Sequence, residues 1–453
     1  MFENFVLPIY DFAKGTSRFR CGRILNKTQW FSREQIEHLQ NKNLRALIKN
    51  AYENVPYYHR VFKERNLGVD DVRTKEDLRK LPVLLKSDIR RHFSELISRC
   101  YPANQLVYRT SGGTGDQIRF YVTKEQMSWE VAAEYRAYGW GNYHLGDKCL
   151  LFWGSPLDIA KHDNLVSQLT SQMERVLLLN TYVLSDSVLS KYVELMKRFH
   201  PKIVRGYSSS VYLMAQYMLE RDIDFEQPEA VFTSAEMLFL FQRLAIEKAF
   251  GCPVFDYYGS REVGALAAEC EEHAGYHISA ENVVLECVEN GQQVADGERG
   301  VVLVTNLRNH GMPLIRYAIG DVGKPSCKSC NCGRGLPLLE SIEGRVSQFM
   351  AVYDKQSKQI VPVSTAAPGP FSMALMQVPL ESYRIVQESL DRVVIKAVKG
   401  KGYSQKHTDF VVNYMRSILG DDVKIEFEFL SYLPSLPSGK RSVFISKINP
   451  FQT

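Results

Sequence analysis

Residues 202–221, KIVRGYSSSVYLMAQYMLER, place a short apolar run directly before a helical pattern. The run is typical of a buried strand, and Ser209–Arg221 has apolar residues at helical spacing. The same alternation recurs between about residues 105 and 265, with Cys149–Trp153 predicted as a strand and Leu238–Phe250 as a helix. Alternating strands and helices predict α/β layering over this part of the chain.

The rest of the chain divides into a β-rich segment and a compact C-terminal unit. Residues 276–343 contain runs of β-branched residues, and we expect a β-rich subdomain there. Two strands and a helix are predicted further on, at Arg392–Ile395, Val423–Phe429 and Thr408–Leu419. With the boundary at Gly344-Arg345, residues 1–344 would form a large N-terminal core and residues 345–453 a small α+β lid domain.

The composition is that of a globular protein with several domains. The chain has 453 residues, of which 45% are hydrophobic and 24% charged, and its net charge is +5 at pH 7. This basic excess is too small to indicate a nucleic-acid partner. The apolar runs are short and interrupted by charges, and the first residues lack the order of a secretory signal, so we expect a cytoplasmic protein without a transmembrane segment.

The most distinctive local signal is the glycine-rich segment RTSGGTGD at residues 109–116. Its backbone N–H groups can converge on one concavity, and its hydroxyl groups add donors, which suits phosphate oxygens. No lysine follows the last glycine at the spacing of a Walker motif. By itself the segment also fits an ordinary turn.

Two further segments place polar groups after apolar runs. In FDYYGSRE, residues 255–262, an aromatic residue could stack on a purine and Glu262 could hold Mg²⁺ through its carboxylate. In PLIRYAIGD, residues 313–321, Asp321 could accept hydrogen bonds from both hydroxyls of a ribose. Each segment alone also fits a strand that ends at a surface turn.

Two shorter segments complete the series. Gly344-Arg345 lies at the expected domain boundary, and PSGKR at residues 437–441 presents Lys440 near the C-terminus. Either segment alone would indicate only a solvated loop. Their value comes from the order in which all five segments occur along the chain.

In this order, the five segments resemble the motifs of the adenylate-forming superfamily. The similarity is greatest to the phenylacetate–CoA ligase branch and its relatives from capsule and polysaccharide loci. It extends over nearly the whole chain and includes the branch's N-terminal pattern, seen here at Asn54–Tyr58 and Leu81–Arg90. The resemblance implies activation of a carboxylic acid by ATP and Mg²⁺ to acyl-AMP, release of pyrophosphate, and acyl transfer to CoA. Members are often homodimers.

The resemblance also implies roles for individual residues. Those expected to contact the nucleotide are Ser111, Gly112, Gly113, Thr114 and Gly115 in the phosphate loop, Ser234, Ala235, Glu236, Tyr257, Tyr258 and Gly259 beside the adenine, Ser260 at the α-phosphate, and Asp321 and Arg345 at the ribose. Glu262 would be the Mg²⁺ ligand, and Lys440 the lysine that catalyses adenylate formation. Residues 205–209 would line the acyl pocket.

The sequence departs from the family's pattern at three positions. Gly113 stands where serine or threonine is usual, and Gln117 stands where proline usually follows the loop. Gln348 occupies the place of a common hinge aspartate. None of these changes removes a charged group from the chemistry, but the change at Gln348 bears on how the lid moves between the two half-reactions.

The acid and the acceptor stay open. Transfer to an amine, for example of a sugar in polysaccharide assembly, is the alternative to CoA, and a non-catalytic nucleotide- or metal-binding scaffold is a third reading. The joint presence of Glu262, Asp321, Arg345 and Lys440 argues against a scaffold. A zinc hydrolase is disfavoured because no H-E-x-x-H occurs. Aromatic residues near the expected pocket tolerate an aryl acid without requiring one: Trp140, Tyr143, Trp153, Tyr207 and Tyr212.

Clustered cysteines and histidines indicate a metal site. CKSCNC at residues 327–332 supplies three thiols, and CEEHAGYH at residues 270–277 supplies one thiol and two imidazoles. Zn²⁺ prefers four nitrogen or sulfur ligands in a tetrahedron, often two from each of two short segments. Reduced, unligated cysteines are the alternative. Resemblance to family members with a similar pattern favours a structural zinc on Cys270, His277, Cys330 and Cys332, with His273 and Cys327 as substitutes.

Overall fold

A computed structural model describes most of the chain. It covers residues 7–102, 106–111, 118–153, 175–181, 184–345, 349–354, 359–364, 374–375, 377–434 and 443–448. Several of the residues singled out above lie outside these ranges: Gly112, Gly113, Thr114, Gly115, Gln117, Gln348 and Lys440. Their assigned roles therefore stay predictions.

The helices begin and end where local chemistry requires. Within the described residues the α-helices are α1 Leu7–Lys14, α2 Arg18–Thr28, α3 Arg33–Asn54, α4 Pro56–Glu64, α5 Lys86–Arg91, α6 Lys124–Gly139, α7 Asp186–Phe199, α8 Ser208–Glu220, α9 Leu240–Phe250 and α10 Gln405–Leu419. The Ser32 hydroxyl accepts a hydrogen bond from the backbone N–H of Gln35 at the start of α3. Pro56 ends α3 and begins α4, because the first position of a helix loses nothing by lacking an N–H.

In the part of the chain that the structure describes, the strands form one large sheet and three smaller ones. They are β1 Leu106–Ser111, β2 Ile118–Thr123, β3 Cys149–Trp153, β4 Val176–Asn180, β5 Ile203–Tyr207, β6 Ala230–Ser234, β7 Val254–Ser260, β8 Gly264–Glu269, β9 Tyr276–Ile278, β10 Val283–Glu289, β11 Gln292–Gln293, β12 Gly300–Asn306, β13 Tyr317–Ser326, β14 Leu338–Arg345, β15 Phe349–Asp354, β16 Gln359–Ser364, β17 Leu380–Ser389, β18 Arg392–Lys399, β19 Lys424–Phe429 and β20 Phe444–Ser446. β1 pairs with β2, and β15 pairs with β16, each as an antiparallel hairpin.

Among the described residues, twelve strands form the large sheet in the order β11-β10-β12-β13-β14-β9-β8-β7-β6-β5-β3-β4. From β4 to β7 the pairings are parallel, and from β7 onward they are antiparallel. The parallel strands are apolar on both faces, as the alternation predicts. On β5, Ile203 packs in one cluster with Tyr138 of α6, while Val204 packs in another with Met214 of α8.

The predicted β-rich segment continues this sheet. Its strands β9, β10 and β12 to β14 join the parallel strands through β8, and their inner face packs on α3 and α4. The extended segment predicted at residues 81–84 also contacts it, because Leu84 forms a parallel bridge with Tyr317 at the start of β13. Main-chain hydrogen bonds thus join the extended segment of residues 81–84 to the β-rich part of the core.

The C-terminal unit has its own sheet, in the order β19-β18-β17-β20, covered by α10. Val411 and Met415 of the helix are buried against Ile395 and Ile425 of the sheet. The predicted class, a large α/β core with a small C-terminal domain of sheet and helix, is confirmed. The helix begins three residues before its predicted start, since Ser404 and His407 form a capping box there. The boundary at residue 344 stays a prediction.

Among the described residues, no helix is both long and apolar enough to cross a bilayer.

Candidate functional site

The carboxyl ends of the parallel strands lie side by side at one edge of the large sheet. Tyr207 at the end of β5 is the register partner of Ser234 at the end of β6, and Ser234 is the partner of Tyr257 in β7. In open α/β sheets, ligands bind at this edge. The structure therefore brings the two predicted adenine segments together at the expected place.

The turn after β6 is held by its own backbone and by a helix terminus. Ala235 has a φ of 65°, in the left-handed region where an alanine is strained. One carboxylate oxygen of Glu236 accepts a hydrogen bond from the backbone N–H of Ser209 at 3.1 Å, in the first turn of α8. A carboxylate is stabilised at a helix N-terminus, so Glu236 fixes the turn that presents Ser234.

The two adjacent tyrosines of β7 point to opposite faces of the sheet. Tyr257 packs towards α2 and α6, whereas Tyr258 packs against the main core and donates a hydrogen bond to Asp321 Oδ2 at 2.7 Å. Burial, with the Asp321 carboxylate beside it, raises the pKa of Tyr258 well above its ordinary value, so the hydroxyl keeps its proton and acts as the donor. The adenine segment is thereby tied to the predicted ribose carboxylate.

Asp321 and Arg345, the predicted ribose pair, are register partners on β13 and β14. Arg345 Nε lies 3.0 Å from Asp321 Oδ1, and the carboxylate raises the pKa of the guanidinium. Asp321 is only 6% exposed and uses one oxygen for Tyr258 and the other for Arg345. Because a carboxylate has about four acceptor positions, it can still accept hydrogen bonds from sugar hydroxyls.

Glu262, the predicted Mg²⁺ ligand, is a buried carboxylate just after β7. The Tyr317 hydroxyl donates a hydrogen bond to its Oε1 at 3.1 Å. Burial and the adjacent Glu262 charge raise the pKa of Tyr317, which keeps that donor protonated. The charge of Glu262 also favours the cationic form of Arg345, so the predicted metal ligand and the predicted ribose pair share one neighbourhood.

The hairpin that carries the glycine-rich segment is anchored beside Glu262. The Arg109 guanidinium of β1 binds the Glu130 carboxylate at 3.0 Å and the backbone carbonyl of Arg261 at 3.4 Å. The Gln126 amide of α6 donates to the carbonyl of Glu262 at 3.2 Å. Of this segment only the flanking strands, including the backbone of Ser111, belong to the described residues.

The strand that follows comes very close to this anchor. Gly264, with a φ of 86°, begins β8, and a Cβ there would lie 2.2 Å from Glu130 Cγ. Only glycine tolerates both the left-handed backbone and this approach. Gly264 therefore fixes how closely the hairpin and the segment of residues 260–262 can meet.

The four favoured metal ligands come together beside β9. One ligand atom from each of Cys270, His277, Cys330 and Cys332 lies within 4.8 Å of the others. Cys270 Sγ and Cys330 Sγ are 3.6 Å apart, and Cys332 Sγ is 3.3 Å from His277 Nε2. Tetrahedral zinc places neighbouring sulfur and nitrogen ligands about 3.3–3.8 Å apart, so the spacing fits this metal.

The electrostatics of the cluster also suit a cation. Burial, assisted by the Arg334 charge, lowers the pKa of His277 to about 4, which keeps the imidazole neutral and able to bind metal. Burial acts to raise the pKa of Cys332, but hydrogen bonds from Arg334 outweigh it and lower that pKa. The two substitutes lie elsewhere: His273 contacts Glu269, and Cys327 is exposed.

Two residues of the site were not predicted from the sequence. Glu134 and Tyr138, four residues apart on α6, share one helix face and meet Arg205 of β5 at the strand ends. Their spacing was the available signal, since side chains four residues apart on a helix are neighbours. Of the aromatic residues considered for the acyl pocket, Trp153 lines a small cavity beside these residues, whereas Trp140 packs beside the cysteine cluster.

Comparison with known proteins agrees with this architecture. Residues 370–447 match the family model described as the CapK C-terminal domain. The chain is 26% identical over 422 residues to Protein CapK of Staphylococcus aureus, covering 90% of this chain and 89% of that protein. It is 26% identical over 344 residues to the phenylacetate–coenzyme A ligase of Thermus thermophilus, covering 71% and 72% of the two chains.

Solved structures show the same fold. A crystal structure of 2-hydroxyisobutyryl-CoA ligase in the postadenylation state superposes with a TM-score of 0.68 at 18% identity, covering 93% of this chain and 92% of that one. The fold and the arrangement of the strand ends define an adenylate-forming ligase, as the sequence predicts. Within that class, the relatives that the chain resembles are phenylacetate–coenzyme A ligases and CapK.

Proposed function

We propose that this protein activates a carboxylic acid with ATP and transfers the acyl group to CoA. A carboxylate oxygen attacks the α-phosphorus, the bond to the bridging oxygen of the β-phosphate breaks, and pyrophosphate leaves. The CoA thiolate then attacks the acyl carbon of acyl-AMP and AMP leaves. The observation that carries the proposal is a set of contacts at the edge of the parallel strands. Tyr258 and Arg345 both bind the Asp321 carboxylate, and Tyr317 binds the Glu262 carboxylate.

The residues of this edge divide the work of binding. Asp321 accepts hydrogen bonds from the ribose hydroxyls, while Arg345 and Tyr258 hold its carboxylate in place. Tyr317 orients Glu262, whose remaining acceptor positions suit a hard cation. Mg²⁺ bound there would neutralise charge on the phosphate oxygens. Lys440, from the lid, supplies a further positive charge where the carboxylate meets the α-phosphate.

The cysteine cluster supports a structural zinc in addition to this chemistry. Its four protein ligands leave no open coordination position, so a metal there would stabilise the fold rather than react. It would join the turn after β8 and the start of β9 to the segment before β14. Binding would also favour the thiolate forms of Cys270 and Cys330, whose pKa values burial raises.

An amine acceptor is the second candidate. The relatives named phenylacetate–coenzyme A ligase match at most 72% of this chain, whereas CapK matches 90% and the lid region matches the CapK C-terminal domain. Lids commonly complete active sites for a second half-reaction, so a lid that matches CapK keeps an acceptor other than CoA as the alternative. A product assay with CoA or with amines distinguishes the two acceptors. Because ATP and CoA are cytoplasmic metabolites, we propose that the reaction takes place in the cytoplasm.

The experiment that tests the proposal is acid-dependent exchange of pyrophosphate into ATP. We expect exchange with members of a panel of carboxylic acids and loss of most of the rate in Glu262→Gln, which keeps the side-chain volume but removes the charge. Glu286→Gln is the matched control, because Glu286 is equally a buried glutamate of the large sheet but pairs with Arg316. It should lower stability and leave the exchange per folded molecule unchanged. ATP binding with no exchange for any acid would favour the scaffold alternative.

A further inference from the structure

A small cavity lies between α6 and the carboxyl ends of the parallel strands. Its volume is about 80 Å³. Ser234 and Tyr257 of the predicted adenine segments line one side of it, so a molecule in the cavity would lie next to the nucleotide. Glu134, Tyr138 and Arg205 also line the cavity. On the proposed function, this is where the acid would lie.

The charged wall of this cavity is unusual for its position in the fold. Ile203, two residues before Arg205 on the same face of β5, packs in an apolar cluster with Phe232. Arg205 instead donates a hydrogen bond from Nη2 to Glu134, and its guanidinium lies 4.0 Å over the Tyr138 ring. The Arg205 and Glu134 side chains are only 19% and 28% exposed, and withdrawing two charges this far from water costs more than packing two apolar side chains of similar size. Core packing therefore does not account for the pair.

The pair leaves both a donor and an acceptor for a ligand. A guanidinium has five N–H groups, and the hydrogen bond of Arg205 to Glu134 uses only Nη2, which leaves N–H donors of the fork for a ligand. Glu134 Oε1 accepts from the Tyr138 hydroxyl at 2.5 Å and from Arg205, which leaves acceptor positions on its carboxylate unused. A ligand hydroxyl can satisfy both groups, since it donates one hydrogen bond and accepts others.

We infer that the acid this enzyme activates is a short acid carrying a hydroxyl group, and that Arg205 and Glu134 together select it. An ammonium group would satisfy only Glu134, and a second carboxylate would be repelled by it. An apolar acid would leave both charged groups without a partner. The volume agrees, because a cavity that holds benzene measures about 150 Å³, and this one is about half that size.

The test compares the reaction rates and binding of short acids with and without a hydroxyl group, together with an aryl acid, a diacid and an amino acid. Propanoate, 2-hydroxypropanoate, 3-hydroxypropanoate, phenylacetate, propanedioate and alanine are compared in pyrophosphate–ATP exchange, and their binding is measured by calorimetry with Mg²⁺ and α,β-methylene-ATP. We expect one of the hydroxypropanoates to exceed propanoate by about a hundredfold, since a site built to bind a hydroxyl strongly rejects the analogue that lacks it. Glu134→Leu combined with Arg205→Met should reduce this preference to within about threefold, without leaving a single buried charge.

The control removes a similar pair far from the cavity. Arg221 binds Asp186 at 2.6 Å, and its guanidinium also lies 4.0 Å over a tyrosine ring, that of Tyr217. Asp186→Leu combined with Arg221→Met should therefore keep the full preference for the hydroxy acid.

The outcomes separate the two proposals. If propanoate, phenylacetate, propanedioate or alanine supports exchange at least as fast as both hydroxy acids do, the inference is overturned and the proposed function stays intact. A preference that survives in the Glu134 and Arg205 double variant would overturn it as well. A third outcome is that the protein shows no exchange with any acid but binds a hydroxy acid, and that the double variant loses this binding. That outcome would support the site and refute the proposed reaction. Neither exchange nor binding would overturn both.

Discussion

Replacing Tyr258 with phenylalanine isolates one contact of the proposed nucleotide site. The change removes the hydroxyl that donates to Asp321 Oδ2 at 2.7 Å and keeps the ring in the main core. Asp321 keeps its second partner, because Arg345 Nε binds the other carboxylate oxygen at 3.0 Å. Tyr258→Phe should therefore loosen the carboxylate without releasing it.

The expected size of the effect on ATP binding follows from the burial of this hydrogen bond. A hydrogen bond to a charged group contributes about 1.5–3 kcal/mol, and losing one partner leaves the acceptor of a 6% exposed residue less well satisfied. Since Arg345 remains, we expect the lower end of this range, which corresponds to roughly a tenfold rise in the KM for ATP. The kcat should change by less than about threefold, because the ribose is bound equally in the ground state and the transition state.

The assay is pyrophosphate–ATP exchange at saturating acid, with ATP and Mg²⁺ varied independently. Tyr317→Phe is the matched control, since it removes a tyrosine hydroxyl bonded to Glu262 at 3.1 Å. It should raise the Mg²⁺ concentration needed for half-maximal rate and leave the KM for ATP at saturating Mg²⁺ within about twofold. An unchanged KM for ATP in Tyr258→Phe would refute the role given to Asp321, and so would equal effects of both variants on ATP and Mg²⁺.

Three further predictions concern other parts of the chain. Purified protein should hold about one zinc per chain, and Cys330→Ser should lower both zinc content by elemental analysis and the melting temperature, because metal binding and folding share one free energy. Lys440→Ala should slow acyl-AMP formation roughly a hundredfold in single-turnover assays, while acyl-AMP supplied ready-made is still converted. Burial raises the pKa of Asp256 from 3.8 to about 6. The stability gained from protonating Asp256 is therefore fully present below pH 3.8 and is lost as the pH rises through about 6. Asp256→Asn should remove this pH dependence of the urea midpoint between pH 3.8 and about 6.

The sequence predicted the regular elements well because their signals are local. The apolar run at Lys202–Val204 appears in the structure as β5, which begins one residue later and ends three residues later. The helix predicted after it appears as α8, with both bounds shifted by one residue. Pro56 correctly marked the end of α3, since the residue before proline disfavours helical backbone. The five ordered motifs gave the family for the same reason, because each is a short contiguous pattern.

What the sequence left undecided depends on contacts between distant segments. Nothing near Tyr258 in the chain indicates that its hydroxyl bonds Asp321, 63 residues away. Glu134 and Arg205 are separated by 71 residues, and although the resemblance implies that residues 205–209 line the acyl pocket, nothing in the sequence pairs Arg205 with Glu134. The choice of His277 over His273 likewise depended on which of the two faces Cys332 after folding.

The large sheet is narrowest at β9, and this shapes how the core would come apart. Among its described interior pairings, β9 with β14 is the shortest, with two register pairs, Leu338 with His277 and Leu339 with Tyr276. The four clustered ligands lie at this seam and close a loop of 60 residues between Cys270 and Cys330. A metal there would couple the strands on the two sides of this seam, β9 with β8 and β14 with β13, into one cooperative unit. Chelation should then split a single calorimetric unfolding transition into two.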